Sequence, residues 1–185
     1  MSISGKRVAV LATNGFEQSE LEVPVSKLRE AGAVVHVISP ESGEITGWKD
    51  KGWGNAVKVD TTLDQASPSD FDALVLPGGV INPDLLRVNA KAIDFIKAFG
   101  KDGKPIGAIC HGPWLLIEAG LAKGRKMTSY KSIQTDMINA GASWEDSEVV
   151  TDQGVVTSRS PADLDAFCRK LVEEIGEGRH ERRAA

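Results

Sequence analysis

The chain is poor in the residues that staple proteins, ligate metals or cross membranes. Its 185 residues include two cysteines, three histidines and a single tyrosine. Cys110 and Cys168 form no Cys-x-x-Cys pair, and a structural disulfide is not expected where no secretory signal is visible. His36, His111 and His180 are scattered, so no metal-ligand spacing emerges and no metal is expected. No stretch approaches the ~20 apolar residues of a spanning helix. Met1 to Arg7 lack the apolar region of a signal peptide, which predicts a cytoplasmic protein without membrane contact. Basic runs are also missing, and the net charge is −4, which argues against dedicated nucleic-acid binding. Arg179, Arg182 and Arg183 alternate with Glu177 and Glu181, so residues 177–185 read as a charged, flexible tail. The segment Ala12-Thr13-Asn14-Gly15-Phe16-Glu17 lacks the glycine spacing of a dinucleotide loop, and no cofactor is expected.

What is present is a 41% hydrophobic, 26% charged composition with a repeating strand–helix rhythm. Arg7 to Thr13 form a nearly continuous apolar run, as a strand buried on both faces requires. A helical pattern follows from Glu17 to Ala31, with Leu21, Val25 and Leu28 on one side and Gly32 as its stop. Val34 to Ser39 read as a second strand, so the opening is a parallel pair with a right-handed crossover. Residues 41–60 are punctuated by glycines and predict a hairpin excursion at the sheet edge. The rhythm resumes at Ala73-Leu74-Val75-Leu76, then a helix from about Pro83 to Gly100, a strand at Pro105 to Ile109 and a helix from Gly112 to Gly120. A short helix near Ser132–Ala140, strands at Glu148–Thr151 and Val155–Thr157, and a last helix capped by Ser160 complete the chain. The whole reads as one doubly wound α/β domain over residues 1–176.

In such sheets ligands gather beyond the carboxyl ends of the strands. Three segments deliver unusual residues there: Asn14-Gly15-Phe16-Glu17, Pro77-Gly78-Gly79 and Cys110-His111-Gly112. The third carries the most chemistry. A strand ends at Ile109 and a helix begins almost at once, so Cys110 occupies a tight turn that pushes its thiol outward. Pro113 is tolerated in the first helical turn, and a helix N-terminus near the sulfur is expected to lower its pKa. This is the layout of a nucleophile elbow with cysteine in place of serine. Gly78 and Gly79 let backbone N–H groups approach a substrate oxygen, as an oxyanion hole requires. Glu17 follows the first strand directly. It is read either as a helix-start acid, an explanation that serves Glu20 and Glu22 equally, or as a buried carboxyl sharing a proton with Cys110. His111 needs a sharp turn or an outside group to reach the sulfur. Cys168, beside Phe167 on the last helix, reads as core.

These residues resemble one known family. Asn14-Gly15-Phe16-Glu17, Phe71 to Gly79, Gly103-Lys104-Pro105 with Ala108 to Pro113, and Val156 to Leu164 are similar to the PfpI intracellular-protease family. That family lies in the glutamine amidotransferase-like superfamily, with the Parkinson-linked deglycase. The resemblance spans roughly residues 6 to 175 and implies a flavodoxin-like three-layer sandwich. It implies Cys110 as nucleophile, His111 as acid/base, Glu17 as the acid touching the thiol, and backbone donors from Gly79 and His111. It also implies dimers or larger rings in which Asp84 of a neighbouring subunit orients the histidine. Aspartate stands there where the archaeal proteases carry glutamate. Tyr130 falls at a pocket tyrosine, and Trp114 replaces a common glutamine.

The activity so implied is a cofactor-free glyoxalase or deglycase, in which the Cys110 thiolate attacks methylglyoxal or its early adduct on an amine. An intracellular cysteine peptidase is one alternative. A non-enzymatic oxidative-stress sensor or chaperone using Cys110 is the other.

Overall fold

The computed structural model describes residues 2–180. Strand β1 (Arg7–Leu11) leads into helix α1 (Gln18–Glu30) and strand β2 (Val34–Ser39). A hairpin of β3 (Glu44–Lys49) and β4 (Gly52–Lys58) precedes β5 (Thr61–Thr62). Then come β6 (Ala73–Leu76), α2 (Ile81–Arg87), α3 (Ala90–Lys101), β7 (Ile106–Ile109) and α4 (Pro113–Glu118). The remainder is β8 (Lys126–Met127), α5 (Gln134–Asn139), β9 (Ser143–Trp144), β10 (Val150–Asp152), β11 (Val155–Ser158) and α6 (Leu164–Glu177).

Seven strands form the central sheet in the order β10-β11-β7-β6-β1-β2-β5. Every neighbouring pair is parallel except β10 with β11. The strand side chains alternate between two cores, as the pleat demands. On one face Ala9, Leu11, Leu74, Leu76, Ile106 and Ala108 pack against α3, α4 and α5. On the other, Val8, Val10, Val75, Ile109 and Val156 pack against α1 and α6. The result is a three-layer α/β sandwich with a mostly parallel sheet, the expected fold class.

Several elements depart from the sequence reading. The helix expected from Pro83 to Gly100 is two helices, because Asn89 leaves helical geometry (ψ 105°) and its side chain caps α3 by accepting from the Ala92 N–H. The β3–β4 hairpin forms its own two-stranded sheet and does not extend the central one. Ser160 makes no side-chain cap; instead the Asp163 carboxylate accepts from the Arg159 N–H and guanidinium. Of the charged tail, residues 178–180 are held. The His180 N–H donates to the Gly103 carbonyl at 2.8 Å, and its ring meets the Glu174 carboxylate. Arg182, Arg183 and the rest of the tail lie outside the described residues.

Candidate active site

The carboxyl ends of β1, β6 and β7 lie side by side in the sheet, so the three loops singled out in the sequence converge. Cys110 adopts φ +64°, the left-handed region that costs a non-glycine residue about 1–2 kcal/mol. The elbow is pinned from both sides. The Cys110 N–H donates to the Ser158 carbonyl at 3.0 Å, and its carbonyl accepts from the Tyr130 N–H at 2.8 Å. The thiol is not thrust into solvent: Cys110 is only 6% exposed.

The acid beside the sulfur is Glu20, which corrects the expectation for Glu17. Glu17 is the N-cap of α1, and its carboxylate accepts from the Ser19 N–H and hydroxyl at 3.5 and 3.0 Å. One turn later, Glu20 points back toward the helix N-terminus, as helical side chains do. It is wholly buried, accepts the Gly78 N–H at 3.0 Å and meets the Cys110 thiol. Burial first, and then the charge of Glu17, push its carboxyl up to about 8, so it carries a proton at neutral pH. A signal existed. Glu20 falls on the same helical stripe as Leu21, Pro24, Val25 and Leu28, all buried.

Gly78 lies between Glu20 and Cys110. A β-carbon there would come within 2.5 Å of the Glu20 Oε2 and 2.6 Å of the Cys110 Cβ. Its N–H is consumed by Glu20, so it is no free oxyanion donor. Gly79, at φ +76°, turns its own N–H toward the Cys110 sulfur, where the His111 N–H also points. Asn82, buried and given no role in the sequence reading, fixes this loop. Its Nδ2 donates to the Pro77 and Gly78 carbonyls, and its Oδ1 accepts the Thr13 N–H.

The thiol's acidity also differs from expectation. Burial and the nearby Glu20 carboxylate hold it well above the ordinary thiol range, against the pull of the Gly79 and His111 N–H groups. Helix α4 starts three residues later and spans only six, too little to reverse that burden. Protonation of Glu20 removes the electrostatic part.

His111 does reach the sulfur, its Nδ1 lying 3.2 Å from Sγ. Tyr130 stacks on the ring at 4.8 Å between centroids, and Trp114 meets it edge-on at 5.1 Å. Its Nε2 faces the Ser132 hydroxyl at 3.1 Å, a residue the sequence offered only as part of a short helix. Burial lowers the imidazole pKa, with Asp136 pulling the other way. Trp114 in turn donates to Asp136 at 2.8 Å and lies under the Arg87 guanidinium. Asp84 is not brought to His111 within the chain. It sits on the exposed side of α2 with Leu85 and Val88.

A family model described as DJ-1/PfpI matches residues 6–174. The chain belongs to the DJ-1/PfpI family. Within that family, "Deglycase PH1704" of Pyrococcus horikoshii is 48% identical over 167 residues, covering 90% of this chain and 98% of the relative. "General stress protein 18" of Bacillus subtilis is 48% identical over 169 residues, covering 91% and 96%. The crystal structure of DJ-1beta from Drosophila melanogaster superposes with a TM-score of 0.83 at 30% identity, over 94% of this chain and 95% of that one. Among the described residues, no helix is long and apolar enough to cross a membrane.

Proposed function

We propose that this DJ-1/PfpI chain is a cofactor-free enzyme that uses Cys110 on small reactive aldehydes, methylglyoxal or its early adducts on amines. The carrying observation is the Cys110 sulfur set between two proton-handling groups, Glu20 on one side and the His111 Nδ1 at 3.2 Å on the other. In this reading the thiol proton passes to His111 as sulfur bonds the aldehyde carbon. The carbonyl oxygen takes a proton and a hemithioacetal forms. Rearrangement through an enediol gives a thioester, and water releases lactate and restores the thiol, so methylglyoxal plus water balances lactic acid. The Gly79 and His111 N–H groups, which point at the Cys110 sulfur, would steady the adjacent oxygen as it gains charge. The fully buried Glu20 returns protons to the sulfur side. A cysteine only 6% exposed, beside a histidine ring packed by Trp114 and Tyr130, suits a small carbonyl better than an extended peptide.

The α2 face, with Leu85 and Val88 at 51% and 83% exposure, is the proposed self-association surface. It would carry Asp84 to a neighbouring subunit, as the family resemblance implies. Purified protein given methylglyoxal should form lactate, and Cys110→Ser should abolish it. Lactate formation that survives the substitution refutes the nucleophile. Digestion of casein lost in the same variant would instead support the peptidase. Inactivity toward both, with two oxygens gained on Cys110 in mild peroxide, would support the sensor.

A further inference from the structure

The His111 ring is held on four sides by its own chain. Nδ1 faces Cys110 at 3.2 Å and Nε2 faces the Ser132 Oγ at 3.1 Å. Tyr130 covers one ring face and Trp114 closes an edge. The turn that brings Ser132 is tied to the nucleophile itself. The Tyr130 N–H donates to the Cys110 carbonyl at 2.8 Å, and the Ile133 N–H closes the turn on the Tyr130 carbonyl at 3.1 Å. Residues 130–133 therefore move with the elbow, and the serine hydroxyl is set at a fixed offset from the sulfur.

We propose that Ser132 is a positioning residue for His111: its Oγ accepts the Nε2–H, which leaves the Nδ1 lone pair facing the Cys110 thiol. A neutral imidazole has one donor and one acceptor nitrogen, and the hydrogen bond at one decides the role of the other. With Nε2 protonated and bound, Nδ1 is the acceptor and can take the thiol proton when sulfur attacks. Ser132 keeps its own hydroxyl proton for an acceptor outside, such as Asp84 of a docked second copy. Orientation of the base is then a property of each chain before any assembly. This rests on the reading of Cys110 and His111 as the reacting pair.

The test compares the full-length wild type with Ser132→Ala and Ser132→Thr. Ring-nitrogen chemical shifts of ¹⁵N-labelled His111 report the tautomer, and lactate formation from methylglyoxal reports turnover. Ser132 is exposed, so the alanine variant should fold, and an unchanged thermal midpoint checks this. The wild type should show a single Nε2–H tautomer. Ser132→Ala should mix tautomers and lower kcat roughly five- to tenfold at little changed KM, the size of one lost hydrogen bond. Ser132→Thr, which keeps the hydroxyl, should restore both. An unaltered tautomer in Ser132→Ala, or a loss that threonine does not rescue, overturns the proposal. If the wild type forms no lactate, the functional reading fails alone, and the tautomer still decides the role of Ser132.

Discussion

Glu20 is a buried acid whose proton has consequences that can be measured. Its pKa is about 8 in the folded protein against 4.5 as the ordinary value. Between those values the native state holds a proton that the unfolded chain has released. Stability therefore falls as pH rises through this window, and the full cost is present above it. Glu20→Gln keeps the shape without the charge. Its thermal midpoint should match wild type near about pH 4 and exceed it by on the order of 5 °C near about pH 9. Turnover should fall by roughly a hundredfold, because an amide cannot give up the proton. A midpoint lower than wild type at the alkaline end would show that the carboxyl is not the destabilising acid. The tight turn at Cys110 was legible in the sequence because a strand, a cysteine and a Gly-Pro pair leave one local geometry, whereas the burial of its thiol was not. The sequence did not separate Glu17 from Glu20. They lie one helical turn apart, and which one faces inward depends on where α1 starts. Ser132 was equally hidden, since its contact spans 21 positions of chain and no local pattern announces it.

At the scale of elements, α2 carries the plainest unspent surface. Val80, Ile81, Leu85 and Val88 are all exposed on or beside a single short helix. If the proposed self-association uses this face, Leu85→Glu should shift the protein toward monomer in sedimentation or size-exclusion measurements while leaving the monomer's unfolding midpoint nearly unchanged. An assembly indifferent to that charge would place the contact elsewhere. Gly78 makes the opposite kind of prediction. Gly78→Ala drives a methyl into the Ile109 carbonyl, 2.6 Å away, as well as into Cys110 and Glu20. Loss of activity together with destabilisation of about 2 kcal/mol or more is expected. The break between α2 and α3 shows why element ends were harder to read than element cores. Asn89 stops one helix and caps the next without a glycine or proline to mark the place.

Across the whole molecule, the two cores share the same strands, so damage to either should be felt by both. Phe99 lies in the core under α3 and Phe167 in the core under α6, and both are fully buried. Phe99→Ala and Phe167→Ala should each cost about 3–5 kcal/mol and lower a single shared unfolding transition. Two separable transitions would divide the chain into independent units. The doubly wound pattern was readable because alternating strand and helix periods run through most of the chain. The β3–β4 hairpin was readable from its glycines too, but its separation from the central sheet was not, since glycine-rich segments leave their pairing partners open.

That hairpin does more than decorate the edge. The Gly15 N–H donates to the Thr46 carbonyl, the Thr46 N–H to the Asn14 Oδ1, and the Trp48 N–H to the Phe16 carbonyl. These bonds clasp the segment from which α1 departs, and the Gln18 side chain reaches across to the Asn55 N–H. A stretch with no reactive group thus sets the phase of the helix that aims the proton-bearing Glu20. Changes in the length of this outlying ribbon should tune the acid at the centre, so remodelling at the periphery becomes a way of adjusting chemistry without touching a single reacting atom.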